Sequence, residues 1–288
     1  MYRTLHRSLR RALAFCVAAL AWQGAAAQSD CRSPAPECVE VGKLHLSVSL
    51  GAGTRTNPVH GRSDIPLVII PHVSYYGKRF FIENLELGFT LYETPANTFN
   101  LIAAPGYDRV FFVSRDLQNI LIPEVGGTLL LPQSFLDRAG MEYDAQALVR
   151  QERRTTYMVG PEWGFSYGRF VGQVNALWEF TGEHDGYEVR AALAAPLLQS
   201  KSSLVASAGM TWKSAALVRY YYGIERVYEP GSALNPFLKL GYSVPLSSRV
   251  TFSAFAHYEY LDEAVARSPI VSDHGVATVF AGLVFRIL

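Results

Sequence analysis

The sequence predicts an all-β protein, a transmembrane antiparallel β-barrel of about twelve strands, and three observations predict it. Apolar and polar residues alternate with period two in stretches of about ten residues, the length a tilted strand needs to cross a bilayer. The polar sides of those stretches are rich in Gly, Ser, Thr and Asn rather than in solvated charge, as a lumen lining is. Mean hydropathy is +0.10 and aromatic residues make up 12%, yet no run of about 18 apolar residues follows the N-terminal leader. Helical membrane spans are thereby excluded. Lys+Arg 26 against Asp+Glu 25 gives a net charge of +1, which excludes a strongly basic nucleic-acid binder and an acidic disordered chain. Charged residues, at 18%, fall below the roughly 25% of a soluble domain.

The elements follow in order. Arg3, Arg7, Arg10 and Arg11 precede the apolar stretch 12–22 and the small-residue run Gly24-Ala25-Ala26-Ala27. This is the pattern of a secretory signal peptide over residues 1–27, cleaved after Ala27. Phe15 is bulky where lipid attachment at Cys16 needs a small residue, so no lipid anchor is expected. Residues 28–42 form a periplasmic N-terminal segment. Its Cys31 and Cys38 are expected to pair in an oxidising compartment and brace it locally.

The barrel is assigned to residues 43–288. Its first strand sets Leu44, Leu46, Val48, Leu50 and Ala52 against Lys43, His45, Ser47, Ser49, Gly51 and Gly53. Phe170, Gly172, Val174, Ala176, Trp178 and Phe180 oppose Arg169, Val171, Gln173, Asn175, Leu177 and Glu179 in the same way. Strands are expected near 43–54, 64–76, 79–92, 97–104, 107–115, 154–167, 169–181, 186–198, 203–213, 236–246, 248–260 and 275–288. Every second connection is then short (Gly77-Lys78, Pro105-Gly106, Gly168, 199–202, Ser247) and the long ones, 116–153, 214–235 and 261–274, fall on the other side. Short periplasmic turns and long outer loops are what an even-stranded barrel of the outer membrane shows. The apolar parity flips at Glu83-Asn84, which marks a bulge or a strand break. Aromatic residues collect at both predicted ends, Trp178, Trp212 and Tyr258 outside and Tyr75, Trp163 and Phe285 inside, as interfacial girdles do.

The segment 214–235 begins with strand-like alternation at 215–222, but a thirteenth strand would break the parity. It is therefore expected to be an outer loop that folds inward. Arg219, Tyr220, Tyr221, Tyr222 and Arg226 are the candidate pore constriction, with one of the two arginines paired to a carboxylate. Buried tyrosines need partners for their hydroxyls, and a polar barrel mouth offers them.

The C-terminal third carries Tyr220-Tyr221-Tyr222-Gly223-Ile224, then Tyr228-Glu229-Pro230-Gly231, then Ser268-Pro269-Ile270-Val271 and Gly282-Leu283-Val284-Phe285-Arg286. Earlier, residues 66–76 run into Gly77-Lys78-Arg79-Phe80-Phe81-Ile82. In order and spacing this resembles the MipA/OmpV family of outer-membrane proteins, over most of the chain and least over 116–153. The resemblance implies an outer-membrane barrel without catalytic residues. It further implies a scaffold that links a murein-cleaving lytic transglycosylase to a murein synthase, or a barrel of osmotic response or adhesion.

The residue spacing offers no catalytic set. Ser253, His257 and Glu259 share one lumen face, but residues 253 and 257 stand about 13 Å apart along a strand, too far for a base to reach its nucleophile. His72 and His274 are isolated, no spacing suggests a metal, and no cofactor or nucleic acid is expected. Arg150, Arg153 and Arg154 read as a solvated loop base or as a contact to lipopolysaccharide at the outer leaflet. Three functions remain in view: a non-enzymatic scaffold, a small-solute channel and a lipid-modifying enzyme, the last without a positive sign.

Overall fold

The computed structural model describes residues 41–112 and 153–288, all within the unit Val39–Leu288. The leader, the Cys31–Cys38 pair and Arg150 lie outside the described residues. Twelve strands follow one another: β1 (Leu44–Arg55), β2 (Ile65–Tyr76), β3 (Phe80–Glu83), β4 (Glu86–Glu93), β5 (Asn97–Pro105), β6 (Tyr157–Tyr167), β7 (Phe170–Glu179), β8 (Tyr187–Gln199), β9 (Ser203–Lys213), β10 (Ala233–Pro245), β11 (Val250–Tyr260) and β12 (Gly275–Arg286). Each pairs antiparallel with its neighbours in sequence, and β1 pairs with β12, so the sheet closes into a barrel. No helix among the described residues is long and apolar enough to cross a membrane. The strands cross it, with backbone donors and acceptors satisfied from strand to strand except along the stretch of β2 that the short β3 leaves uncovered.

The total of twelve agrees with the sequence, but two of its members differ. The expected strand 79–92 breaks at Asn84, which adopts φ +53° in a tight turn. Its backbone N–H donates to the Val73 carbonyl at 2.8 Å, and its side-chain oxygen accepts from the Val73 N–H at 3.1 Å. The expected strand 107–115 is instead, as far as it is described, a 3-10 helix over Tyr107–Phe111. Period-two reading cannot see the reason: Asp108 is drawn out of line by an ion pair with Lys213. The two differences cancel in the count. They also invert the strands between them, so Thr94-Pro95-Ala96 is a periplasmic turn and Pro105-Gly106 lies at the outer end. Likewise β10 starts at Ala233, three residues before the expected start, and carries Pro236 opposite Met210.

β3 is only four residues long and pairs with Ser74–Tyr76. Among the described residues no strand continues along that edge of β2. Val73 meets Asn84 there, and two residues away on the same edge stands Pro71, which has no N–H to leave unsatisfied.

The faces alternate as expected. Leu50, Trp163, Trp178, Met210, Leu238 and Tyr258 point outward and are exposed on the chain itself, as a lipid-contacting surface is. Inside, Leu67, Ile70 and Phe280 pack with Phe255 into an apolar knot. That knot depends on glycines at the closing seam. A Cβ on Gly51 would stand 2.2 Å from the Ala281 carbonyl oxygen and 2.8 Å from the Phe280 ring, whereas one on Gly241 would meet nothing within 4 Å. Gly51→Val is therefore expected to destabilise the barrel by about 1–3 kcal/mol, while Gly241→Val leaves it within experimental error. Urea midpoints of the refolded protein check the difference.

Candidate functional site

A chain whose outer face is committed to lipid carries its chemistry in the lumen and at the two mouths. Directly opposed lumen residues form a polar belt across six strands: Asn100, Glu162, Asn175, Arg190, Thr211 and Asn235. Glu162 accepts from Asn100 Nδ2 at 2.9 Å and from Gln173 Nε2 at 2.5 Å. Asn235 Nδ2 donates to Glu259 at 2.9 Å. Arg190 forms an ion pair with Glu188 and sets its guanidinium 5.0 Å from the Tyr107 ring. The charges of the belt, Glu162, Arg190, Glu188 and Glu259, each have an opposite charge or a hydrogen-bonding side chain beside them, as desolvated charges require.

Above the belt the outer mouth is filled. The helix α1 (Ala215–Tyr222) begins at Ser214, whose hydroxyl accepts from the Leu217 N–H at 3.5 Å. Its buried face presents Leu217, Val218, Tyr221 and Tyr222. A second short helix, α2 (Glu263–Ala266), is capped by Asp262, which accepts from the Ala264 N–H at 2.9 Å. These residues join lumen-facing Ile102, Met158, Leu177 and Val276 and the loop residues Val59, Phe111, Phe112 and Ile270 in one apolar core. Strand residues from several sides of the barrel meet in that core, so the loops close over the lumen.

At the centre of this cap lies a buried ion pair. Lys213 Nζ stands 2.7 Å from Asp108 Oδ1, and the Tyr222 hydroxyl donates to the same oxygen at 2.6 Å. Burial and the neighbouring Asp108 charge push the Tyr222 hydroxyl well above its ordinary value, so it stays protonated and donates. The Tyr222 carbonyl accepts from Ser268 Oγ at 2.6 Å, and Tyr221 Oη meets Thr156 Oγ1 at 3.1 Å. The β7–β8 loop is organised by Glu179, whose carboxylate accepts backbone N–H bonds from Thr181, Gly182, Glu183, His184 and Asp185.

The residues singled out in the sequence separate here. Tyr221 and Tyr222 are fully buried in the cap, and Tyr220 packs beside them with its ring 5.2 Å from His184. Arg219 is exposed on the far side of α1. Arg226 is exposed as well, 3.5 Å from the equally exposed Glu225. The arginine that turns inward is Arg153, which donates to the Tyr221 carbonyl at 2.7 Å and lies 4.3 Å above the Phe112 ring. Its partner is 68 positions away, so no local pattern announces it. Of the basic cluster, only Arg154 among the described residues reaches the surface, 3.2 Å from Glu183. Ser253, His257 and Glu259 face the lumen opposite Ser243, Lys239 and Phe237, and the His257 ring packs 5.3 Å from Phe237. Among the described residues no group of three His, Cys, Asp or Glu could hold a metal ion.

A family model described as "MltA-interacting protein MipA" matches residues 48–287. YiaT of Escherichia coli strain K12, an outer membrane protein by its name, is 22% identical over 250 residues, which cover 84% of this chain and 90% of YiaT. Among solved structures, the chain is similar to the translocator domain of the autotransporter NalP from Neisseria meningitidis, at 10% identity and a TM-score of 0.38 over 99% of this chain and 98% of that one. It is also similar to the anion-selective porin from Comamonas acidovorans, at 8% identity and a TM-score of 0.36 over 85% and 99%.

Two outcomes follow from the cap. Asp108→Ala leaves the buried Lys213 ammonium without its carboxylate and is expected to destabilise the protein by about 3–5 kcal/mol, read from urea midpoints of the refolded barrel. His184 is held neutral by burial, its basicity pulled below the ordinary value of 6.5, and its Nδ1 accepts from the Gly186 N–H at 2.9 Å. The unfolded loop therefore binds the proton better, and the stability His184 contributes is present above pH 6.5 and lost as pH falls through the lower folded value. Hydrogen-exchange protection factors over 180–186 and 215–222, taken relative to the intrinsic rate at each pH, are expected to fall between pH 8 and pH 5, and His184→Gln to remove part of that dependence.

Proposed function

The chain belongs to the MipA family, and from that premise we propose that it is a non-enzymatic structural barrel of the outer membrane that holds a periplasmic, murein-remodelling partner. The observation that carries this reading is the filled outer mouth. A barrel whose loops pack into an apolar core around a buried ion pair is built to be rigid rather than to pass solutes. The lumen supports the non-enzymatic part. Glu162 and Glu259 are engaged by side-chain amides, and Ser253 and His257 are spread along a single strand. In the directly opposed pairs Ser47–His72 and His45–Ser74, the ring nitrogens His72 Nδ1 and His45 Nε2 are buried without a hydrogen-bond partner. The family's name points to the partner, a lytic transglycosylase, and the resemblance adds a murein synthase.

Cross-linking in the intact envelope from residues of the periplasmic turns is expected to capture a lytic transglycosylase. Recovery of lipid and lipopolysaccharide alone would remove the scaffold role. Planar-bilayer recording is expected to show no steady conductance for the intact barrel and open steps after deletion of 216–228. Large steps from the intact protein would favour the small-solute channel instead.

A further inference from the structure

The two ends of the barrel carry different charge. At the outer end the described residues expose five arginines against six carboxylates, a balanced mixture. At the periplasmic end Glu93 is the one exposed acid among the described residues, and nearly every turn carries a cation. Lys78, Arg169 and Lys201 stand at the turns after β2, β6 and β8. Lys43, Arg79, Arg249 and Arg286 are placed differently, each next to an outward-facing residue: Leu44, Phe80, Val250 and Phe285. Period-two alternation puts these four on the inward side, over the opening of the lumen, and Arg286 pairs in register with lumen-facing Ser47.

That placement decides among partners. Cations that serve the lipid headgroups belong on the outward face at the membrane edge, where this chain has aliphatic and aromatic residues. Cations gathered around a low-dielectric opening focus their field on its axis and attract an anion there. Below the belt the lumen carries the apolar knot around Phe280, the hydroxyl pair Ser243–Ser253, Ser47 beside Arg286, the histidines His45 and His72, and Glu83 opposite Ser74, and Lys239 stands deeper opposite His257. Twelve strands enclose a space between the side-chain-filled interior of about eight strands and the open channel of about sixteen. One extended chain fits such a mouth and a mesh does not. The outer cap closes the far end, so a chain that enters is held rather than passed. The cavity of about 250 Å³ beside the β4–β5 turn, lined by Glu162, Gln173 and Ser166, lies in the one acidic sector and stays outside this ring.

We propose that the periplasmic mouth is a docking ring for an acidic polypeptide segment, gripped by Lys43, Arg79, Arg249 and Arg286 around the lumen opening. The scaffold reading supplies only the source of the segment, a periplasmic partner; the ring itself stands on the charge placement.

The test uses the mature protein refolded in uncharged detergent micelles and a fluorescent Glu-Ala repeat peptide, with a Lys-Ala repeat as control. The acidic peptide is expected to bind saturably and to weaken with salt, and the basic one not to bind. Arg249→Glu with Arg286→Glu is expected to weaken binding about tenfold or more, and Arg62→Glu with Arg267→Glu at the outer end to leave it unchanged. Arg79→Gln with Arg249→Gln gives the same reading if charge reversal prevents folding. Absence of binding, equal weakening by the outer-end pair, or displacement of the peptide by phosphatidylglycerol vesicles would overturn the proposal. Failure here together with capture of a transglycosylase in the envelope overturns the docking ring and leaves the scaffold standing.

Discussion

A backbone that crosses hydrocarbon has no water to satisfy its amides, and closure of the β1–β12 seam is the constraint on which the rest of this structure depends. The seam runs from Ser47 opposite Arg286 to Arg55 opposite Thr278, and it makes a ring of what would otherwise be a sheet with two exposed edges. Closure fixes the faces. Every outward residue meets lipid, and every inward residue must share a narrow space with the inward residues of eleven other strands. Glycine at 51 is part of the same requirement, since the Phe280 ring lies where a side chain would otherwise stand.

Filling that space takes two kinds of packing. Across the middle, charges and amides face one another in register, Glu162 between Asn100 and Asn175, Arg190 between Asn175 and Thr211. In a low-dielectric interior such groups are costly unless partnered, and hydrogen-bonded neighbours offset the cost. Toward the outside, loops take over with an apolar core built from Tyr221, Leu217, Phe112 and Ile270. Asp108 links the layers: its carboxylate reaches Lys213 on β9 and Tyr222 on α1 at once. The result is a barrel filled at one mouth by loops and, below the belt, by the smaller apolar knot around Phe280, with exposed cations at the other mouth.

This asymmetry bears on function more directly than any single residue does. A porin keeps both ends open; here the described outer mouth is packed. Membership in the MipA family gives the barrel an outer-membrane context, and its two described ends carry different charge.

Much of this was legible in the chain itself. Alternation with period two fixed the all-β class and the outward and inward sets, because side-chain direction in a strand is a local property of the backbone. The total of twelve agreed because the turn at Asn84 added a strand and the helix at Tyr107–Phe111 removed one. The leucines and tryptophans of the outer face could be named without knowing any neighbour. The parity slip at Glu83-Asn84 was visible too, but whether it meant a bulge or a turn depended on Val73, eleven residues away across β2. What the tertiary structure alone decided were the long-range pairings. Tyr107–Phe111 looks like more strand until Asp108 finds Lys213, 105 positions away. Residues 215–222 alternate like a strand and yet form a helix, because Ser214 caps it and Tyr221 and Tyr222 find hydroxyl partners in Thr156 and Asp108. The inward arginine is Arg153 rather than Arg219 or Arg226, because its partners are an aromatic ring and a carbonyl brought over the mouth by other loops. Direction along a strand is written locally; the partner of a buried charge is chosen only when the barrel closes.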